Sequence, residues 1–214
     1  MRHAECPTDS LAEWTHMRIT QQKAQDNRER ILDAAARLYR EHGFDGIGIA
    51  DVMKSAGFTH GGFYNHFASK EALAAEASRL AFEEMAEKRM RSGGLAKFVA
   101  AYLGTTNRAQ RSQSCPAVVL GGDAARAGGE VKSVFADGIE TMISFLEDRL
   151  REEHHLDEPE ARIHAVNLAA KLTGALLLTR SIPDDHPLAR EILKSCLDSC
   201  LVEASGASAS NAAG

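Results

Sequence analysis

His60, Gly61, Tyr64 and Asn65 lie close together in the chain and share a placement. Once Phe63 and Phe67 turn inward at an i, i+4 spacing, these four residues are left on the other faces of the same short helix. Their chemistry is recognition: an imidazole, a phenol and a carboxamide exchange hydrogen bonds with phosphate oxygens or base edges, and a glycine lets another backbone come near. Gly61 and Gly62 in a helix are each about 1 kcal/mol less favourable than alanine, so the pair asks for a reason such as close approach of a phosphodiester, unless both belong to a loop. Lys70 stands in the first turn of the next helix, where a cation opposes the dipole unless it meets an anion such as a phosphate.

The elements that must hold these residues are legible in the apolar spacing. Ile31, Leu32, Ala35, Leu38 and Tyr39 form one buried stripe over 30–42, closed by Gly43. Ile49, Val52, Met53 and Ala56 form a second, shorter stripe, and Gly57 supplies the sharp turn between helices that cross steeply. Thr59 is placed as the N-cap of the third helix, 60–67. Ser69 caps a long helix whose buried face is Leu73, Ala77, Leu80, Ala81 and Met85.

At these residues the segment 28–73 resembles the DNA-binding domain of the TetR family of transcriptional regulators. The resemblance is carried by Gly57, Thr59, Gly61, Phe63, Tyr64, His66, Phe67, Ser69, Lys70 and Glu71. It implies that Tyr64, His66 and Lys70 hold phosphates, and that Thr59, His60, Gly62 and Asn65 lie near base edges or nearby backbone. Ile47 and Gly48 depart from the pair of Thr or Ser that opens the second helix in the family, which leaves Gly48 to cap through its backbone, a change of a few tenths of a kcal/mol. Gly62 also removes a side chain that many relatives use for base recognition.

Composition is compatible with this reading. A chain of 214 residues that is 44% hydrophobic supports a sizeable core and one or two domains. The net charge of -5 has the wrong sign for nonspecific coating of nucleic acid, although Arg28, Arg30, Arg37, Arg40, Lys54 and Lys70 gather in the proposed reading domain. No apolar run is long enough for a membrane span, which predicts a cytoplasmic protein without membrane contact, and four scattered cysteines read as reduced thiols.

The remainder reads as helical throughout. The expected class is all-α, with an N-terminal three-helix helix-turn-helix domain (26–72) followed by a helical effector-binding and dimerisation domain (73–203). A loosely attached or disordered arm (1–25) and tail (204–214) flank them. A polar loop is expected over 105–114, then a short helix opened by Cys115-Pro116 and running to about 127. Helices over about 160–180 and 187–203 carry more apolar surface than one chain covers, and the resemblance implies that they pair with their copies about a two-fold axis. Such a homodimer presents two recognition helices to a palindromic operator in double-stranded DNA. Relief of repression by a small-molecule effector is the mode the resemblance implies, so the expectation is a non-enzymatic repressor with no cofactor and no metal. Phe98, Tyr102, Phe135, Met142 and His164 are candidate pocket residues; core packing is their other reading.

Cys115 faces the positive end of a helix dipole, the setting of many reactive thiols. Some TetR-like repressors that respond to electrophiles carry a cysteine at the start of the corresponding helix. A structural thiol is the other reading, since free cysteines are often buried. Cys196 and Cys200, at i, i+4, together with His154-His155 sketch a metal site, but both thiols fall in an apolar stripe. A second class, a small helical thiol or metal-dependent enzyme using Cys115, stays open at this point and leaves Thr59 to Lys70 unexplained.

Overall fold

The computed structural model describes the backbone of residues 9–204 and the side chains from residue 21 onward. The described residues form α1 (Asp9–His42), α2 (Ile49–Ser55), a 3-10 helix (His60–Asn65), α3 (Lys70–Met90), α4 (Leu95–Tyr102), α5 (Thr105–Ala109), a 3-10 turn (Arg111–Gln113), α6 (Pro116–Val119), α7 (Gly121–Arg126), α8 (Gly129–His154), α9 (Glu158–Arg180) and α10 (Pro187–Ala204). No strand occurs among them. The fold is all-α, an N-terminal helix-turn-helix followed by a helical body.

Two expectations about order are corrected. α1 begins at Asp9, so the stretch 9–25 placed in a loose arm is helical. Residues 21–26 are all exposed, and a helix with no buried face has no apolar period to read. Side-chain bonds one turn apart, Gln22 to Asp26 and Gln25 to Glu29, both 2.8 Å, support it on a chain free of Gly and Pro between 9 and 42. Residues 1–8 and 205–214, the outer parts of the arm and tail, lie outside the described residues. The polar loop expected over 105–114 instead forms α5 and a 3-10 turn, neither of which buries a residue. The helix opened by Pro116 breaks at Leu120 into α6 and α7.

Two apolar cores organise the body. The first joins Ile31, Ala35 and Tyr39 of α1, Val52 and Met53 of α2, Phe63, Phe67, and Leu73 and Ala77 of α3. It reaches α8 through Phe82 and Phe135, whose rings meet edge to face at 5.2 Å. Gly138 permits this approach, because a Cβ there would lie 2.4 Å from the Phe82 ring. The second core joins Phe98, Val99 and Tyr102 of α4 with Leu146 and Leu150 of α8, Leu168, Leu172 and Leu176 of α9 and Cys200 of α10. α3 runs through both, with Leu73 in the first and Met85 in the second. α6 and α7 bridge them as well, through Leu120 and Ala124 on one side and Val118, preceded by Cys115, on the other. Among the described residues no helix is long and apolar enough to cross a membrane.

Candidate nucleic-acid interface and effector cavity

The local chemistry that holds the polar face outward starts at the two turns. Gly43 ends α1 with φ +78° and donates its N–H to the Tyr39 carbonyl at 2.7 Å. Gly48 caps α2 without a hydroxyl, and the Asp51 carboxylate accepts the Gly48 N–H at 3.3 Å, which restores part of the missing cap. Gly57 turns the chain at φ +84°, a conformation that strains any side chain, while Phe58 N–H reaches back to the Met53 carbonyl at 2.8 Å.

The segment His60–Asn65 that follows is a 3-10 helix, tighter than the α-helix expected and ending before Phe67. Phe63 and Phe67 anchor it in the first core with rings stacked at 5.8 Å, and Tyr64 meets Phe63 edge to face at 5.1 Å. Thr59 has the extended backbone of a cap, but its hydroxyl makes no capping bond, contrary to expectation. Ser69 does cap α3, its Oγ accepting the Ala72 N–H at 3.0 Å.

The anchor leaves a continuous polar surface. Thr59, His60, Gly61, Tyr64 and Asn65 are exposed, and Gly62, His66 and Lys70 are half-buried at its edge. Tyr64 keeps 68% of its surface in solvent, unusual for an aromatic whose neighbours are core residues. Lys70 Nζ stands 4.0 Å from the exposed Asp45 carboxylate, a loose pairing that leaves the cation available at the start of α3. A Cβ at Gly61 would meet nothing within 4 Å, and one at Gly62 only Met53 Cε at 3.6 Å. Neither glycine has a positive φ, so the protein's own packing asks for neither.

Most of the arginines gathered nearby serve the fold instead of this surface. Arg28 pairs with Glu76 and lies over the Phe67 ring at 4.7 Å. Arg30 donates to the Ala56 carbonyl at 2.9 Å, and Arg40 is buried with Nη2 on Glu84 at 2.7 Å. Arg37 is exposed, with Nη2 on Ser55 Oγ at 2.9 Å, and Lys54 is exposed.

The helical body holds a cavity of about 550 Å³ between the C-terminal part of α3, α4 and the segment after it. Met85, Arg89, Phe98, Tyr102, Asn107 and Gln110 are among its lining residues. Phe98 and Tyr102, expected in a pocket, line it. The other three candidates do not. Phe135 packs on Phe82 in the first core, Met142 is buried in the second core, and His164 sits half-exposed on α9 with Nε2 3.9 Å from Glu160. Their apolar spacing is explained by packing, and for His164 by the helix surface.

Arg89 was missed. A cation in the last turn of a helix reads as solvated, yet Arg89 continues the Leu73, Ala77, Ala81, Met85 stripe by one more turn and is 2% exposed. That continuation was the available signal. Cys115 caps α6 and is fully buried. Tyr102, with the Cys115 thiol and Thr173 beside it, has its phenol pushed well above the usual range by burial. Arg180 closes this corner, donating to the Asn107 carbonyl at 2.6 Å and to Ser114 Oγ at 2.8 Å.

Cys200 is buried and its thiol is pushed up to about 11, chiefly by burial, as a core thiol would be. Among the described residues no group of three or more metal-capable side chains comes together. Along α9, Leu168, Leu172 and Leu176 turn into the chain's own core, whereas Ile163, Val166, Leu177 and Leu178 are exposed. Ala170 is exposed on the same side, and a Cβ at Gly174 would meet only open space. On α10 Leu188 is exposed, and Ile192, Leu193, Cys196 and Leu197 are half-buried.

Residues 31–77 match the sequence pattern of a family described as bacterial regulatory proteins, tetR family. The HTH-type transcriptional regulator AcrR of Shigella flexneri is 37% identical over 70 residues, 33% of this chain and 33% of AcrR. The match thus spans about a third of that relative's length. The HTH-type transcriptional regulator LmrA of Bacillus subtilis aligns at 24% identity over 185 residues, 82% of this chain and 97% of LmrA. The fold is shared with solved structures: reduced E. coli NemR superposes with a TM-score of 0.68 at 22% identity, covering 82% of this chain and 95% of NemR. A TetR-family regulator from Cytophaga hutchinsonii gives 0.67 at 16% identity, covering 83% and 94%. The family pattern falls on the elements that expose Thr59 to Lys70 above an aromatic anchor: residues 31–77 form a DNA-binding domain of the tetR family of bacterial regulatory proteins, and the body that follows shares the fold of such regulators.

Proposed function

We propose that the protein is a homodimeric repressor that grips a palindromic operator through the surface around His60–Asn65 and releases it when a small effector occupies the helical body. The observation that carries this reading is the contrast within one short helix: Phe63 is fully buried while Tyr64, His60 and Asn65 stand in solvent. Gly61 supports it, since its missing side chain leaves room that only an outside partner would use. Tyr64, His66 and Lys70 are assigned to phosphates, and Thr59, His60, Gly62 and Asn65 to base edges and adjacent backbone.

The apolar stripe Ile163, Val166, Ala170, Gly174, Leu177 on α9, with Leu188 on α10, supports a second copy across a two-fold axis. Small residues at its centre let the helix backbones approach closely. An effector changes DNA affinity only by preferring one spacing of the two reading heads. α3, α6 and α7 join both cores and are the elements through which that preference would act. Electrophile sensing at Cys115 is a narrower form of the proposal. The thiol is fully buried, so only a small electrophile that enters the body would reach it. Nothing observed favours the thiol-enzyme alternative.

Anisotropy of a labelled duplex from upstream of the protein's own coding region tests the reading. The expected result is sequence-selective retention that weakens steeply with salt, together with a dimeric mass that Ile163→Asp with Leu177→Asp converts to monomer. Equal retention of a scrambled duplex would overturn it. If Cys115→Ser leaves release by an electrophile unchanged, the sensing form is wrong.

A further inference from the structure

The wall of the cavity beside α4 holds a charge that the chain itself does not answer, with its nitrogens closed off from solvent. Arg89 is 2% exposed, and none of its three guanidinium nitrogens has a hydrogen-bond partner among the described residues. Buried arginines keep their charge, and a buried cation without an anion is among the most unfavourable arrangements a fold can hold. Burial pushes the Arg89 guanidinium below its usual range, with the neighbouring Cys115 and Tyr102 acting in the opposite direction.

The surroundings make the charge more conspicuous. No Asp or Glu lines the cavity, while Lys88 joins Arg89 on its wall. Arg180 and Arg108, which flank the Ser114–Cys115 corner, are partnered by carbonyls, Ser114 Oγ and the exposed Asp184 carboxylate, and none of those partners reaches Arg89. The Tyr102 hydroxyl is a further buried polar atom without a hydrogen bond of good geometry. Opposite these groups Met85, Phe98 and Ala101 offer an apolar wall, in a chain whose net charge is negative. About 550 Å³ lies within the roughly 300–1,000 Å³ of small-molecule sites.

We propose that this cavity binds a small organic anion, a carboxylate on an apolar body the size of one aromatic ring, with Arg89 as its counter-cation and the Tyr102 hydroxyl as a second donor. The guanidinium fork matches a carboxylate bidentately, and the apolar body lies against Phe98 and Met85. The proposal rests on the effector-responsive reading and names the chemistry of the effector.

The test uses the full chain without DNA. Benzoate and hexanoate are compared with benzamide and hexanamide by calorimetry and by thermal shift. At least one carboxylate is expected to bind tenfold or more tightly than its amide and to raise the melting temperature, and Arg89→Met is expected to erase that difference. Arg89→Lys, which keeps the charge and loses the fork, is expected to retain part of it. Carboxylates and amides that bind alike in the wild type, or a preference that survives in Arg89→Met, would overturn the proposal. A preference that appears only in Cys115→Ser would also overturn it, by showing that the thiolate is the anion that answers Arg89. The wild-type comparison depends on no variant folding. Duplex retention is measured separately, so failure of the regulator reading is seen as loss of DNA selectivity, and failure of this one as loss of anion preference.

Discussion

The N-terminal core and the helical body each bury one arginine, Arg40 and Arg89, and the two are met in opposite ways. In the N-terminal half Arg28, Arg30 and Arg40 each meet a carboxylate or a carbonyl, and the surface around His60–Asn65 presents a phenol, imidazoles, a carboxamide and the loosely paired Lys70. In the helical body Arg89 is turned inward and meets no protein acceptor among the described residues. Arg40 is itself neutralised within the frame that carries this surface, and Arg89 adjoins a cavity with no carboxylate in its lining. The difference teaches that net charge is a poor guide here: a chain at -5 offers positive character in two places of quite different kinds.

The hardest blow to the surface around His60–Asn65 is removal of its anchor. Phe63→Ala should destabilise the chain by about 3–5 kcal/mol, read by chemical denaturation, and should abolish duplex retention because the polar face no longer has a base. A gentler change separates surface from frame. Gly61→Ala is expected to leave stability unchanged or raise it by up to about 1 kcal/mol, while duplex affinity falls about tenfold from crowding of the approaching backbone; undiminished affinity would show that the glycine is a loop residue and nothing more.

The arginines allow a direct contrast. Arg40→Met should lower stability by about 1–2 kcal/mol, since it removes bonds to Glu84 and the Ala36 carbonyl. Arg89→Met should be neutral or stabilising in the absence of ligand, because no bond is lost and a buried charge disappears. If both variants lose stability equally, the two buried arginines do not differ as described.

The smallest effect concerns pH. Burial raises the Tyr39 phenol from 10.0 to about 12. The folded state therefore holds its proton more tightly than the unfolded chain does, and the associated stability is complete below pH 10 and lost as pH rises from about 10 to 12. Tyr39→Phe should flatten the fall of the denaturation midpoint across that window. An unchanged slope would mean that the phenol is hydrated in the folded state.

How much of this was legible in sequence depends on whether packing or geometry decided it. The reading domain was legible because one stretch must satisfy several constraints at once: Gly57 for a positive φ, Phe63 and Phe67 for the anchor, Ser69 for the cap. The extension of α1 back to Asp9 was not, because its described side chains are exposed and leave no period. The cavity was half legible. Phe98 and Tyr102 line it, but Phe135 enters the other core and Met142 is buried in the same core away from the cavity, and spacing along a helix cannot tell these placements apart. Arg89 was hidden by its type, since the apolar stripe that carries it inward was read as ending at Met85.

The Gly138 contact under Phe82 marks where α8 lies tightly against α3, and a pivot of α3 at that point would divide it unequally. At 1.5 Å per residue, about 18 Å of the helix extends from Phe82 toward Lys70 and about 10 Å toward Arg89. A stiff rod pivoting there amplifies, so a shift of 1 Å at the guanidinium end becomes roughly 1.7 Å at the capped end by the ratio of those arms. Under the proposed function the longer arm would lie toward the duplex and the shorter toward the effector, an arrangement in which a small displacement at the cavity would become a larger one at the DNA.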